Sequence, residues 1–436
     1  MKRLCIIVFT SLLLLSVFAQ ADDTLVLTLD QSIQMALTGN ASVLSSEKKL
    51  SAAKWKVWEM TGGFFPQITA TGSYSHQSEV QTYEIPATAF TPASTISLGD
   101  PDAWAIKAGV SWYIFTWGRD FNSYNQSKAN YKAADAAFEK AKQDIKLEVM
   151  KNFYSLILAE ELIKVSQDSL ESAQAHFEDA QKGSKVGTVS EVDLLKSEVQ
   201  YLNMKSQFIK AKNRLTLAKN SFRIMLDLDE GKDFDVDGKL LYEPYKIDLK
   251  EGINSALLNS VVLKQIKYQK QAADLAVAIV DAGDKPSIAL SYNYNWQKSG
   301  ALDEDPWDKN WTAGANVSIP IFDGFMTRSK VKQTEQSRDE IKINEENLIR
   351  NTKMEIRQIY YELKENEEII SMQEKSVQQA KRAEELTNMR YKQGLATNAE
   401  VLDANVVLIQ AEINYLQSLY DYNIAQAKWK KATGTL

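Results

Sequence analysis

Residues 287–296 read Ser287-Ile-Ala-Leu-Ser-Tyr-Asn-Tyr-Asn-Trp296. Ile288, Leu290, Tyr292, Tyr294 and Trp296 fall on one side of an extended chain. Ser287, Ala289, Ser291, Asn293 and Asn295 fall on the other. A period of two over this length predicts a β-strand with one apolar, aromatic face and one small, polar face. Three more stretches repeat the pattern. In 67–76, Ile68, Ala70, Gly72 and Tyr74 alternate with Gln67, Thr69, Thr71 and Ser73. Trp104, Ile106, Ala108, Val110, Trp112 and Ile114 alternate with Ala105, Lys107, Gly109 and Ser111. Trp311, Ala313, Ala315, Val317, Ile319 and Ile321 alternate with Thr312, Gly314, Asn316 and Ser318.

Each stretch has about ten residues, the length of a tilted strand that crosses a bilayer. Six of the nine tryptophans lie between 104 and 311, mostly near strand ends, as an aromatic girdle requires. A half-buried sheet in a soluble sandwich would need a second apolar layer, which the chain does not provide. Four strands cannot close a barrel, and lipid forbids an open edge. Several chains must therefore each contribute four strands. Two would make eight, with an interior filled by side chains; three would make twelve and leave room for water. The polar stretches 77–102 and 297–309 would be the outer loops.

The remainder reads as helix. The eight prolines stand at 66, 86, 92, 101, 244, 286, 306 and 320, and none follows Pro320. Glycine is nearly absent from the same stretches, and these two residues are the strongest helix breakers. The prediction is a helix over about 119–181, a turn near Gly187 and a helix to about Met225. A second set runs over about 326–392, turns at Gly394 and continues to about Lys431. At ~1.5 Å per residue the longer arms reach roughly 100 Å. Val149, Leu156, Ile163, Leu170 and Phe177 recur every seventh residue, as do Ile356, Leu363, Ile370 and Val377. That period favours left-handed coiled-coil packing. Asn152, Ala159, Ser166 and Ala173 sit three places on, so the seam is mixed. Periodicity alone leaves open a solid stalk or a hollow bundle. Segments 28–62 and 248–283 read as shorter amphipathic helices, each stopping just before a proline.

The chain repeats itself. Ile114-Phe115 matches Ile321-Phe322, Tyr154 matches Tyr361, Ser169 matches Ser376, and Lys185-Val186-Gly187 matches Lys392-Gln393-Gly394, all at an offset of 207. Leu29, Ile33, Ala36-Leu37 and Pro66 match Leu249, Ile253, Ala256-Leu257 and Pro286 at an offset of 220. Self-similarity on this scale means a duplicated architecture. The offsets differ by 13, which places one insertion between Pro66 and Phe115, in the first outer loop. The expected organisation is a signal peptide at 1–21, a first repeat at 22–228, a linker at 229–247 and a second repeat at 248–436. The fold class is mixed α/β, mostly α, with antiparallel helical hairpins and four strands given to a shared barrel.

Met1-Lys2-Arg3, an apolar run to Phe18 and Ala19-Gln20-Ala21 have the form of a secretory signal peptide. Cys5, the single cysteine, lies inside the apolar run rather than after it, where a lipid anchor would sit. Loss of Lys2 and Arg3 takes the net charge from −6 to −8, which argues against nucleic acid as a partner. No later stretch has 18 consecutive apolar residues, so a spanning helix is not expected. His76 and His176 are the two histidines, too few and too separated for a histidine-based metal site. No nucleophile elbow or phosphate loop is present either. An enzyme, a cofactor and a metal centre are accordingly not expected.

The motifs Leu27-Thr-Leu-Asp-Gln-Ser-Ile-Gln-Met-Ala-Leu37, Phe65-Pro66, Ile321-Phe322-Asp-Gly324 and Tyr391-Lys-Gln-Gly-Leu-Ala-Thr-Asn-Ala-Glu-Val-Leu-Asp-Ala404 resemble those of the TolC-like outer-membrane efflux proteins. The resemblance covers essentially the whole mature chain. It implies a homotrimeric exit duct in the outer membrane of a Gram-negative bacterium. The duct would have a twelve-stranded barrel in outer-membrane lipid and an α-helical tunnel in the periplasm. It further implies docking, through the tips at Gly187 and Gly394, to a periplasmic adaptor (membrane fusion) protein and an inner-membrane transporter of RND, ABC or MFS type. Efflux and type I secretion both use such ducts, and cargo selection rests mostly with the pump. The alternative is a non-channel periplasmic or surface coiled coil.

Glu400 and Asp403 are three apart at a helix start and share a face. Around a three-fold axis they would form rings of carboxylates, a cation-selective constriction. A plain role beside the helix dipole would also explain them. The first-copy equivalents are Asp193 and Lys196. By resemblance, Tyr391 and Asp193 match residues that help hold the tunnel mouth shut. The family can also place an arginine two residues after the turn glycine; here that position is Ala396, so the latch is built differently or is weaker.

Overall fold

The computed structural model describes residues 25–97, 101–298 and 307–436. The expected signal peptide, with Cys5, lies outside the described residues, as does most of the second outer loop. Along the chain the elements are β1 (Leu25–Leu27), α1 (Leu29–Gly39), α2 (Ala41–Thr61), β2 (Gln67–His76), β3 (Thr82–Ile85), β4 (Ser94–Ser97), β5 (Asp102–Phe115), α3 (Arg119–Lys185) and α4 (Glu191–Met225). There follow β6 (Phe234–Val236), α5 (Leu249–Asn259), α6 (Val261–Asp281), β7 (Ser287–Lys298), β8 (Trp307–Ser318), α7 (Met326–Lys392) and α8 (Asn398–Thr433). Short 3₁₀ turns at Gly62–Phe64 and Ala282–Asp284 precede β2 and β7. Two short helices, a turn, strands and a long helical hairpin therefore occur twice. Among the described residues no helix is long and apolar enough to cross a membrane.

Two expectations need correction. Segments 28–62 and 248–283 are not single helices. Each breaks once, at Asn40 (ψ 127°) and Ser260 (ψ 119°). The Asn40 side chain accepts a hydrogen bond from the Ser42 N–H, and the Ser260 hydroxyl from the Leu263 N–H. Both residues cap the following helix better than they continue the preceding one. The last strand covers Trp307–Ser318 rather than 311–321, because Pro320 has no N–H to give the ladder. Within the first outer loop β3 and β4 pair as an antiparallel hairpin.

The sheet of interest has order β2-β5-β7-β8 and is antiparallel throughout. Its register brings the alternating faces into line. Ile68 pairs with Val110, Val110 with Tyr292, and Tyr292 with Ala313. Tyr74 pairs with Trp104, and Tyr294 with Trp311. On the opposite face Thr69 pairs with Gly109, Gly109 with Asn293, and Asn293 with Thr312. The Asn295 amide donates to the Asn310 side-chain oxygen at 2.9 Å. Ile68, Trp104, Tyr292 and Trp311 are exposed despite their size. A one-residue slip in any pair would break this sorting, so the faces specify the register. β2 and β8 are the sheet's two edges.

The chain divides into two compact units. One comprises the described part of 1–36 with 149–241 and 376–420. In it β1 pairs in parallel with β6, Leu25 opposite Phe234. Phe153, Phe222 and Phe234 are fully buried, and the Phe222 ring lies 6.1 Å from Phe153 and 5.9 Å from Phe234. Along α3, Val149 and Leu156 of the heptad row are buried, whereas Ile163, Leu170 and Phe177 remain partly exposed. Leu170 packs against the buried cluster of Ala173, Met204 and Ile409, and the Phe177 ring stacks on Tyr201 at 5.8 Å.

The other unit comprises 37–148, 242–375 and 421–436, and it contains the four-stranded sheet. Ala256 of α5, Ala425, Ala427 and Trp429 of α8, and Ile356 of α7 are buried here. Lys428 pairs with Glu362 at 2.7 Å, and Lys431 with Asp144 at 2.5 Å. The turns from β5 to α3 and from β8 to α7 each hold two successive residues at positive φ: Trp117 (52°) with Gly118 (77°), and Gly324 (67°) with Phe325 (65°). Left-handed backbone costs any residue but glycine about 1–2 kcal/mol.

Gly252 shows how tightly the α5–α8 contact is packed. A Cβ there would lie 2.4 Å from Trp429 Cη2, whereas one at Gly62 would meet nothing within 4 Å. Gly252→Ala is expected to destabilise the protein by about 1–3 kcal/mol, as overpacking does. Gly62→Ala should be near neutral. Thermal denaturation of the two variants side by side checks this.

Candidate functional site

The two hairpin ends have the same backbone construction. Gly187 and Gly394 adopt φ of 75° and 71°. In the first hairpin the Thr188 N–H donates to the Gly183 carbonyl and the Gly187 N–H to the Ser184 carbonyl. In the second the Leu395 N–H donates to the Arg390 carbonyl and the Gly394 N–H to the Tyr391 carbonyl. These are Schellman closures, and each needs a left-handed residue that glycine supplies without a Cβ penalty. Space around both glycines is open within 4 Å.

The next helix then starts on a side-chain cap. At α4 the Ser190 hydroxyl accepts from the Asp193 N–H at 3.1 Å and donates to the Asp193 carboxylate at 2.7 Å. At α8 the Glu400 carboxylate accepts from the Thr397 N–H at 2.6 Å, and the Glu400 N–H donates to the Thr397 hydroxyl at 3.3 Å. Both are hydroxyl-x-x-acid boxes that satisfy orphan donors at a helix start. The bonds from Thr397 hold the Glu400 carboxyl below its usual range, with Arg390 adding a smaller pull. Asp193 and Glu400, equivalent at the 207 offset, thus act first as caps. Asp403 has a different setting: it is exposed and lines a groove.

That groove lies between α4 and α8, with a volume of about 540 Å³. Val192, Leu195 and Val199 face Leu402 and Val406 across it, and Lys196 and Asp403 also line it. The two helix starts are joined beneath it. Asn398 Nδ2 donates to the Ser197 hydroxyl at 2.9 Å and to the Asp193 carbonyl at 3.2 Å. Asn398 and Ser197 are both buried. Further along, Asn405 Nδ2 donates to the Ser172 hydroxyl at 3.1 Å and so ties α8 to α3. Tyr391 is directed at α3, where its ring meets His176 edge-on at 6.5 Å.

Of the residues expected from sequence, the fold brings Asp193, Glu400 and Asp403 to the starts of neighbouring helices. Tyr391 is committed to a different contact. Sequence reading missed Asn398, Ser197, His176 and Arg390. Arg390 Nη2 donates to the Leu395 carbonyl at 3.1 Å, across the turn that ends α7. An arginine in a last helical turn is itself a recognisable C-terminal signal. Asn398 and Ser197 carry no sequence signal, because their role exists only once two separate helices meet.

Among the described residues at this end, His176 is an imidazole whose protonation the fold opposes. Burial holds its imidazole below 6.5, opposed by Asp179 and Glu384 and assisted by Lys392. The linkage sign follows. As pH falls below 6.5 the unfolded chain binds a proton that the folded site resists, so stability falls. Acidification should lower the amide protection factors, taken relative to the base-catalysed intrinsic rate at each pH, at the facing ends of α3 and α7. His176→Gln should remove that pH dependence, and exchange mass spectrometry at pH 5 and 7 measures it. Asn398→Ala strands buried partners and should lower local stability by about 1–3 kcal/mol. Faster exchange confined to the first turns of α4 and α8 would report it.

Known proteins resemble this chain over most of its length. The family model for outer membrane efflux proteins matches residues 32–226 and 252–435. The chain is similar to the probable efflux pump outer membrane protein TtgC of Pseudomonas putida, 21% identical over 396 residues, covering 88% of this chain and 78% of that protein. It is also similar to the outer membrane protein TolC of Vibrio cholerae, 21% identical over 406 residues, covering 92% and 89%. Among solved structures it resembles the CmeC outer membrane channel of Campylobacter jejuni. The TM-score is 0.81 at 20% identity, covering 93% of this chain and 85% of that one.

Proposed function

The chain belongs to the outer membrane efflux protein family, and from that premise we propose how its geometry makes a conduit and closes it. The protein is an outer-membrane efflux channel. Three copies assemble, each giving β2, β5, β7 and β8 to one barrel. The carrying observation is the four-stranded sheet whose register sorts apolar from polar residues while β2 and β8 remain edges. Pairing β2 of one copy with β8 of the next removes every edge, as lipid demands. Twelve strands leave an aqueous interior where eight would not. The face with Thr69, Asn293, Thr312 and Asn310 lines the water, and the face with Ile68, Tyr292 and Trp311 meets lipid.

The two repeats, 22–228 and 248–436 with 229–247 between them, supply two hairpins per chain to a periplasmic helical tunnel. Its mouth lies at the tips. Asp403 from three chains forms the acidic ring, a cation-selective constriction. Asp193 and Glu400 stiffen the helix starts behind it, and Tyr391 holds α7 against α3. A periplasmic adaptor (membrane fusion) protein docks at the tips near Gly187 and Gly394. The groove of Val192, Leu195, Leu402 and Val406 offers it apolar surface. An inner-membrane transporter of RND, ABC or MFS type feeds the assembly and selects the cargo. The reaction is passage, with no bond made or broken.

Planar-bilayer recording tests this reading. The wild-type protein should conduct, and a trivalent hexammine cation added at the tip side should block it. Asp403→Asn should raise the half-blocking concentration by about tenfold, a difference on the order of one ring interaction. Glu400→Gln should raise it less, since that carboxylate already serves Thr397. Block unchanged in Asp403→Asn would remove the ring assignment, and a silent wild-type bilayer would remove the channel itself.

A further inference from the structure

One charge on the four-stranded sheet stands apart from the rest of its face. Lys107 of β5 pairs with Thr71 of β2 on one side and with Asn295 of β7 on the other, and Asn295 pairs with Asn310 of β8. The register puts Lys107 on the polar face, turned away from Ile106 and Trp296. The rows beside it are neutral. On the loop side Ser73 pairs with Ala105 and Ala105 with Gln297; on the helix side Thr69 pairs with Gly109 and Gly109 with Asn293. A Cβ at Gly109 would lie 2.8 Å from Asn293 Oδ1 and 3.5 Å from Thr69 Oγ1, so those short side chains lie over the glycine. Lys107, two residues away on the same face, is exposed.

The ordinary uses of a strand lysine do not account for it. A lysine on an edge strand blocks unwanted pairing, but β5 lies between β2 and β7. A lysine can also neutralise a carboxylate, yet among the described residues none pairs with Lys107. The other charged residue on this face of the paired strands is Asp308, one row nearer the loops and opposite Gln297, and it has an interaction of its own. A need of the repeat as such would recur in the second copy. At the 207 offset, however, Lys107 corresponds to Gly314. Lipid would penalise the charge, and the register keeps it off the face that meets lipid.

We propose that Lys107 gives the barrel its charge preference: three copies set three lysines around the lumen, a ring that holds multivalent anions and repels cations. Rings of like-charged side chains select in this way, and lysine or arginine selects for anions. The ring has one charge per chain because the first repeat alone supplies it. Thr71 and Asn295 beside it carry no charge to offset it. Its field acts at short range, over about 8 Å at physiological salt and about 3 Å at 1 M. Its hold on an anion therefore weakens as salt rises. A solute with several negative charges is drawn into the exit barrel, and a cationic one is slowed there. The ring depends on the barrel reading above.

Planar-bilayer recording on the full-length protein tests it, with hexacyanoferrate(III), a trivalent anion, added on the barrel side. The wild type should be blocked. Lys107→Gln should raise the half-blocking concentration by about tenfold and move the reversal potential in a KCl gradient toward the cation value. Lys107→Arg keeps the charge and should match the wild type in both readings. The gap between wild type and Lys107→Gln should shrink severalfold at about 1 M salt. Block and reversal potential unchanged in Lys107→Gln would overturn the ring and leave the channel standing. Loss of block in Lys107→Arg as well would assign the effect to side-chain shape rather than charge, and would overturn it too. Ile106→Gln reads the barrel itself and should leave the block as it is. An effect as large as that of Lys107→Gln would put the wrong face in water and overturn the face assignment together with the ring. A wild type that does not conduct would overturn the channel and the ring alike.

Discussion

An unpaired strand edge cannot be left in lipid, and most of this protein's design answers that constraint. Outside the membrane, water satisfies an edge at little cost. Inside it, each bare N–H or C=O costs several kcal/mol. The sheet β2-β5-β7-β8 carries two such edges and an exposed aromatic face. One chain has no means of curing them, so the fold is an assembly instruction as much as a structure. The helices change their packing along the heptad row. Val149 and Leu156 are buried, whereas half-buried Leu170 packs against Ala173, Met204 and Ile409, and Phe177 stacks on Tyr201.

The duplication has a physical use within this scheme. A hairpin tip needs a left-handed residue, a capped helix start and little else, and both copies meet those needs with the same spacing. Glycine stands at 187 and 394, a hydroxyl at 190 and 397, and an acid at 193 and 400. Where the copies must differ, they differ beyond the cap. Lys196 stands opposite in sign to Asp403, and both face the same groove. Capping is thus shared, while the residue three places beyond the capping acid differs in charge. The turns between strand and helix keep their backbone in both repeats while exchanging the glycine for an aromatic.

Helix and strand types were legible because each rests on local chemistry. The proline spacing bounded α3 and α7, and the period of two located β2, β5, β7 and the greater part of β8. The breaks at Asn40 and Ser260 were also local, but a polar residue inside an amphipathic pattern does not announce which helix it will cap. The β1–β6 pair was beyond reach for another reason. Leu25 and Phe234 pair in parallel across the whole first repeat, and three residues per strand carry too little pattern to read.

By itself the sequence determined the duplication, the long helices, the two-faced strands and the positions of both tips. These follow from periodicity, breakers and caps, all of which act within a few residues. Only the tertiary structure decided which distant residues the tip side chains meet. It left Asp403 in the groove beside α4 and turned Tyr391 to His176, whereas the bonds of Asp193 to Ser190 and of Glu400 to Thr397 are local. It also made Asn398 the joint between α4 and α8. A side chain with a hydrogen-bond partner beside it takes that bond, and whether a partner from a distant helix also stands there depends on how the helices meet. The spacing of three between Glu400 and Asp403 could propose a shared face, but not the meeting of α4 and α8 that puts Asp403 in a groove with Lys196.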